Sequence, residues 1–132
     1  MIYLLDTHSF LRAVFSPEKL SRRARATIAD TSSAVCLSSI TLWEISLKFT
    51  LGKLALENTI PEDLVTVAQD MGLALISPSV EESASFYKLP RAPHRDPFDR
   101  MLVWQAIQRQ LVLVTKDGAL PAYRDAGLKT LW

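Results

Sequence analysis

The chain predicts an α/β domain with a mainly parallel sheet and helices on both faces, and three observations carry that reading. Short apolar runs of strand length alternate with stretches of helical period along the whole sequence. Acidic or hydroxyl residues follow directly on several of those runs, as Asp6 and Thr7 follow Ile2–Leu5. Internal repeats, low-complexity segments and linkers are absent, so residues 1–132 read as one domain.

Bulk properties exclude several classes. A chain of 132 residues, 48% hydrophobic and 22% charged, can bury a core without staples. Cys36 is the only cysteine, so neither a disulfide framework nor a thiolate metal cluster is available. No apolar run approaches the roughly 18 residues of a membrane span. No basic segment precedes the first apolar run, and the expectation is a cytoplasmic protein without a membrane partner. The net charge of +1 argues neither for nor against nucleic acid, because local patches decide that.

Ile2–Leu5 has the character of a parallel strand buried on both faces, with Asp6 at its carboxyl end. In open α/β sheets, sites lie in the crevice beyond those ends. Asp6 or Thr7 as a simple helix cap is the competing reading. His8–Val14 reads as a short helix with Thr7 as its N-cap, interrupted at Ser16-Pro17. Ser21 opens a second helix, 22–29, whose Arg22, Arg23 and Arg25 suit a solvated face.

Ala34–Leu37 is the second strand, followed by Ser38 and Ser39. In the helix after it, Leu42, Ile45 and Phe49 share one face, and Trp43 and Leu47 another. Glu44 has three readings there: a capping box with Thr41, an ion pair with Lys48, or a carboxylate near the strand-end crevice. Gly52 and Gly72 are helix stops, Pro61 starts the helix between them, and Leu73–Ile76 is the third strand. Ser79 caps a helix running to about Lys88.

Leu89–Arg95 is a loop, broken by Pro90 and Pro93, that carries Arg91, His94 and Arg95. It runs into Asp96-Pro97-Phe98-Asp99. Asp96 as N-cap, Pro97 at N1 and Asp99 at N3 make a strong helix start with favourable dipole interactions. The alternative is a pair of carboxylates aimed at a cation. Leu111–Val114 is the next strand, followed by Thr115 and Asp117. Gly118 permits a turn, and Leu128–Trp132 forms a last, edge strand.

Carboxylates Asp6, Glu44, Asp96, Asp99 and Asp117 therefore gather near one end of the predicted sheet. Such charges repel unless protonated or bound to cations. Oxygen donors without cysteine or a paired-histidine motif suit Mg²⁺ or Mn²⁺ rather than Zn²⁺. His8 and His94 lie in separate segments and are expected to be capping or surface groups rather than ligands.

Four pieces of sequence, in order, carry a resemblance. Asp6-Thr7-His8, Trp43-Glu44-Ile45 with Lys48, His94-Arg95-Asp96-Pro97-Phe98-Asp99-Arg100-Met101-Leu102, and Thr115-Lys116-Asp117 resemble the motifs of PIN-domain ribonucleases, specifically VapC-like toxins of toxin–antitoxin pairs. The resemblance covers nearly the whole chain. It implies a PIN fold with about five parallel strands and a metal-dependent endoribonuclease using Mg²⁺ or Mn²⁺ on RNA phosphodiesters. Position by position, it implies Asp6, Glu44, Asp99 and Asp117 as the acidic quartet. Asp96 is an extra acid, and either it or Asp99 is the closer metal ligand. Thr115, with Thr7, supports the site. Arg91, His94, Arg95 and Lys116 are the candidate RNA contacts, because an acidic site needs neighbouring cations to hold phosphates. A homodimer and an antitoxin lying over the groove are the implied partners. Arg12 departs from the aromatic residue expected in this branch, outside the acidic motifs.

Two other readings compete. A phosphoacceptor receiver domain fits the length and a late lysine, Lys116, but would have an acid pair where Thr7 and His8 follow Asp6. A PIN scaffold that only binds RNA or protein is disfavoured by the intact acidic set. Gly52, Gly72, Gly118 and Gly127 form no phosphate-binding loop after the first strand, so a dinucleotide-binding module is weaker still than the receiver reading.

Overall fold

The computed structural model of the chain describes residues 1–91 and 94–132. The predicted break at Pro93 lies outside them. Five strands, β1 (Ile2–Leu5), β2 (Ala34–Ser38), β3 (Ala74–Ile76), β4 (Val112–Val114) and β5 (Lys129–Leu131), form one sheet in the order β3-β2-β1-β4-β5. Every pairing is parallel. The central position of β1 follows from its composition, since Leu4 and Leu5 are fully buried.

Helices α1 (Thr7–Phe15), α2 (Arg22–Ala29), α3 (Ser39–Thr50), α4 (Asp63–Asp70), α5 (Val80–Ser85) and α6 (Pro97–Arg109) make the crossovers, with 3-10 turns at Pro17–Lys19, Phe86–Lys88 and Leu120–Ala126. Parallel pairing demands such crossovers. They divide the core in two. One half gathers Leu4, Leu102, Val103 and Leu113 with Trp104 and Tyr123. The other gathers Leu5, Phe10, Leu37, Ile45, Leu64 and Val114. Alternate residues of β1 and β4 thus face opposite layers, the period-two signature of a sheet covered on both sides.

The expected elements are present, with shifted ends. The helix expected from Pro61 is regular only over Asp63–Asp70, and the one expected to reach Lys88 ends its α-helical part at Ser85. The last strand sits at the sheet edge as expected, but covers only Lys129–Leu131. The expectation that β1 is buried on both faces holds for Leu4 and Leu5, while Ile2 is exposed. Gly52 (φ +71°) and Gly72 (φ +79°) take the left-handed conformation just past α3 and α4, which explains glycine at these stops. At the end of α6 Gln110 adopts the same conformation without being glycine, so no glycine marks that boundary.

Two assigned caps are different residues. The N-cap of α1 is Asp6, whose Oδ1 accepts from Ser9 N at 2.8 Å; Thr7 is the first helical residue. The N-cap of α3 is Ser38, so Thr41 and Glu44 form no capping box. The caps fall one residue earlier in α1 and three earlier in α3 than the local pattern suggested, because each strand passes directly into its helix.

Candidate active site

The strand-end crevice lies beyond β1 and β4. Asp6 N donates to Val114 O at 3.1 Å and Ser9 Oγ to the same carbonyl at 2.9 Å, so the start of α1 is tied to the end of β4. Asp6 is almost fully buried, with one carboxylate oxygen committed to the cap. Asp117, after β4, is oriented by its own turn. Its N–H donates to Thr115 Oγ1 at 3.0 Å, and its Oδ1 accepts from Ala119 N at 2.8 Å. Thr115 is buried and donates its backbone N–H to Leu131 O, which anchors that turn to β5.

Asp99 enters from α6. Asp96 Oδ1 accepts from the backbone N–H groups of Phe98 (2.9 Å) and Asp99 (3.1 Å), and Pro97 occupies the first turn, as expected. That cap leaves the Asp99 side chain free of local backbone donors and directs it toward the crevice. Asp6, Asp99 and Asp117 line one open cleft together with His8, Arg12 and Lys116.

His94 stands inside this acid group rather than at the surface. Its Nε2 lies 2.9 Å from Asp99 Oδ2 and its Nδ1 3.6 Å from Asp117 Oδ2. His94, Asp99 and Asp117 each offer a ligand atom within 4.8 Å of the others. The histidine's backbone is braced from below: Tyr123 Oη approaches His94 O at 3.5 Å, and Arg100 Nη1 donates to Tyr123 Oη at 2.8 Å. The expectation of a capping or surface histidine holds for exposed His8 and fails for His94. Its place beside the Asp96-Pro97-Phe98-Asp99 helix start was visible, but a turn that folds it back onto Asp99 leaves no periodic signal.

Glu44 is buried behind the cleft lining. Thr7 Oγ1 donates to Glu44 Oε1 at 2.7 Å, with Thr41 Oγ1 3.2 Å from the Thr7 hydroxyl, and Lys48 pairs with Glu44 Oε2. Of the three readings of Glu44, the ion pair with Lys48 is present. The Glu44 hydrogen bond raises the Lys48 ammonium above its ordinary pKa, opposed by partial burial and assisted by the charges of Glu44, Asp96 and Asp99.

These acids act on one another through Asp99. Burial pushes the Asp99 carboxyl up to about 6, the hydrogen bond from His94 opposes that, and the charges of Asp96 and Glu44 add to it. A carboxyl raised in this way binds a proton readily or exchanges it for a cation. Carboxylate oxygens suit a hard divalent ion and one imidazole widens the set to softer ones, so the residues present fit a divalent ion.

Of the cations expected to contact RNA, Lys116 lines the acid cleft itself. Exposed Arg91 and Arg95 line, with His94 and Arg100, a neighbouring cavity of about 600 Å³. Arg12 is a cleft residue that the sequence reading set aside. It follows His8 by four residues, so both lie on one face of α1, and that spacing was a usable signal.

The PIN domain family model matches residues 3–126. The curated protein Ribonuclease VapC22 of Mycobacterium tuberculosis is 28% identical over 129 residues, covering 98% of this chain and 97% of the relative. Among solved structures, VapBC2 from Rickettsia felis bound to a promoter DNA fragment superposes with a TM-score of 0.70 at 17% identity, covering 100% of this chain and 99% of the other. DNA-bound VapBC from Salmonella typhimurium gives a TM-score of 0.63 at 23% identity, over 99% and 98% of the two chains. FitAcB from Neisseria gonorrhoeae gives 0.61 at 17% identity, over 100% and 97%. At these identities the structural neighbours establish the fold.

Proposed function

The chain belongs to the PIN domain family, and from that membership we propose that it is a metal-dependent endoribonuclease, the toxin of a toxin–antitoxin pair. The observation that carries the reading is the convergence of Asp6, Asp99 and Asp117 on one cleft at the carboxyl ends of β1 and β4. Similarity to a protein named as a ribonuclease supports the reaction class. The receiver alternative loses its support with the family match.

In this reading Asp99 and Asp117, with His94 and Asp6, would hold Mg²⁺ or Mn²⁺. Such an ion would supply positive charge against the phosphodiester oxygens and activate water for attack. The protein's part is positional. Thr115 and Ala119 fix the Asp117 turn, Asp96 fixes the start of α6, and the Arg100–Tyr123 contact holds the His94 backbone. Glu44 serves through Thr7, keeping the first turn of α1 and hence Asp6 in register. Asp96, with one oxygen spent on its cap, is the more distant acid and Asp99 the closer ligand. Arg91, Arg95 and Lys116 supply the positive field that brings RNA to an acidic centre.

The proposed partners are RNA, a second copy of the chain and a cognate antitoxin. Exposed Trp43, which packs edge-on against Phe98 at 5.2 Å between centroids, supports a covered apolar surface near the start of α6. The deciding experiment is cleavage of single-stranded RNA with Mg²⁺ or Mn²⁺ and with EDTA. Cleavage that stops in EDTA supports the proposal; cleavage that persists in EDTA without added metal overturns the metal mechanism.

A further inference from the structure

Among the described residues of the acid cleft, Arg12 is the one whose presence the acidic motifs do not account for. It sits on α1, lines the cleft beside Asp6, Asp99, Lys116 and Asp117, and also lines a second groove between α1 and the 54–57 segment. Its guanidinium lies over the Trp132 ring, 5.8 Å from the centroid, just past edge strand β5. Among the described residues no ion pair involves Arg12 or Lys116, although three carboxylates share their cleft. The guanidinium is thus held by an aromatic face and not consumed by an acid.

We propose that Arg12, steadied by Trp132, is a substrate-positioning residue that binds a backbone phosphate of RNA beside the scissile bond. This rests on the nuclease reading above. The chemistry follows from the charges. Asp6, Asp99 and Asp117 repel a phosphodiester, and a cation at their edge offsets that repulsion. A guanidinium presents paired donors in a planar fork that matches two phosphate oxygens, which an ammonium cannot reproduce. Stacking on Trp132 limits its rotamers before substrate arrives, so less ordering entropy is lost on binding. Lys116, exposed on the turn after β4, is the second cation of the same cleft. Arg12 also borders both cavities, so a strand leaving the acid cleft toward α1 passes its guanidinium.

The test uses the full chain, Mn²⁺ and a fluorescein-labelled single-stranded RNA of mixed sequence, about 12 nucleotides long to span the site. Cleavage is measured across substrate and salt concentrations, with thermal melts as folding controls. Arg12→Ala is expected to raise KM roughly tenfold with kcat changed far less, the cost of a lost charged hydrogen bond. It is also expected to reduce the salt slope by about one ion. Arg12→Lys is expected to restore the slope but only part of the KM. Trp132→Ala is expected to raise KM less than Arg12→Ala, and to add nothing further in the double variant, as residues acting as a unit do. Should Arg12→Ala not fold, the Lys and Trp132 variants carry the same test. Unchanged KM and salt slope in folded Arg12 variants of an RNA-cleaving parent overturn the proposal and assign Arg12 to the fold or to a protein partner. A parent that does not cleave RNA overturns the nuclease reading itself, and this inference with it.

Discussion

Glu82 and Asp99 are both acids drawn into the protein interior, and they meet opposite treatment. Glu82 closes a capping box with Ser79, its Oε1 accepting from Ser79 N at 2.8 Å. Arg109 donates to both of its oxygens, through Nε at 2.8 Å and Nη2 at 2.7 Å, and reaches the Ser77 carbonyl as well. The Arg109 hydrogen bonds pull the Glu82 carboxyl below its ordinary range despite burial. Among the described residues Asp99 has His94 as its one side-chain hydrogen-bond partner, faces further acids, and is pushed up to about 6. One site spends its charge on the fold; the other keeps its charge uncompensated at the mouth of a cleft. Burial of an acid therefore does not mark function by itself. Burial without compensating donors does.

The largest effect expected from this contrast is on catalysis. Asp99→Asn should lower RNA cleavage by at least about a hundredfold, because the substitution removes the charge that holds a divalent ion while keeping the side chain's shape. In EDTA the same variant should melt no lower than the parent. Asp96→Asn retains a good cap and is expected to keep both stability and most activity. A cleavage assay on purified variants, with melts alongside, checks all three statements. Asp99→Asn cleaving like the parent while Asp96→Asn is dead would reverse the two assignments.

The next effect falls on the fold. Arg109→Ala leaves Glu82 without its main partner and should cost about 2–3 kcal/mol, below the full value for a buried pair because Arg109 is partly solvated. For a domain of this size that lowers Tm by roughly 5–10 °C. Cleavage per folded molecule should be unaffected. A variant that keeps its Tm but loses activity would erase the contrast.

Stability against pH separates the two acids by sign. The Glu82 contribution is present above its unfolded pKa near 4.5 and is lost as pH falls through its lower folded value. Asp99 runs the other way. Its folded pKa of about 6 exceeds the unfolded 3.8, so the folded state binds the extra proton between these values and its contribution to stability weakens as pH rises through that window. In EDTA, the parent's Tm minus that of Asp99→Asn should therefore fall between pH 4 and pH 7, by about four degrees per unit of pH at most. A difference that stays flat across this window would show that Asp99 titrates as an ordinary surface acid.

The smallest expected effect concerns Thr7. Thr7→Val removes the hydroxyl that donates to Glu44 and should cost about 1 kcal/mol. Activity should fall several-fold if Glu44 serves the site through α1. Unchanged activity would make Glu44 purely structural.

Much of this was legible in the sequence, and unevenly so. Four of the strands were visible as apolar runs, because a parallel sheet covered on both faces needs residues such as Leu4, Leu5, Val112 and Leu113; β5, Lys129–Leu131, was legible only as an edge strand. Asp96 and Pro97 announced the start of α6 by backbone chemistry alone. Asp6 and Thr7 were harder: both are good caps, and the choice between them depends on whether the strand turns directly into the helix. The Glu44–Lys48 pair was readable from spacing, but the Glu44–Thr7 bond joins residues 37 positions apart and leaves no local trace. His94 was legible as a neighbour of the site, but its contact with Asp99 and Asp117 was not. That contact is set by tertiary packing, with Tyr123, held by Arg100, approaching the His94 carbonyl from another part of the chain. Arg12 lies outside the acidic motifs, but it shares the His8 face of α1, and the pairing of β1 with β4 brings that face beside Lys116 and Asp117.

The central claim is that Asp6, Asp99 and Asp117, with His94, hold a divalent cation that RNA cleavage requires. Calorimetric titration of Mn²⁺ into the parent and into Asp99→Asn, at neutral pH and with folding verified by melts, tests it most directly. The account predicts measurable binding by the parent and an affinity at least about tenfold weaker in the variant. Equal Mn²⁺ affinity in the two proteins would contradict it.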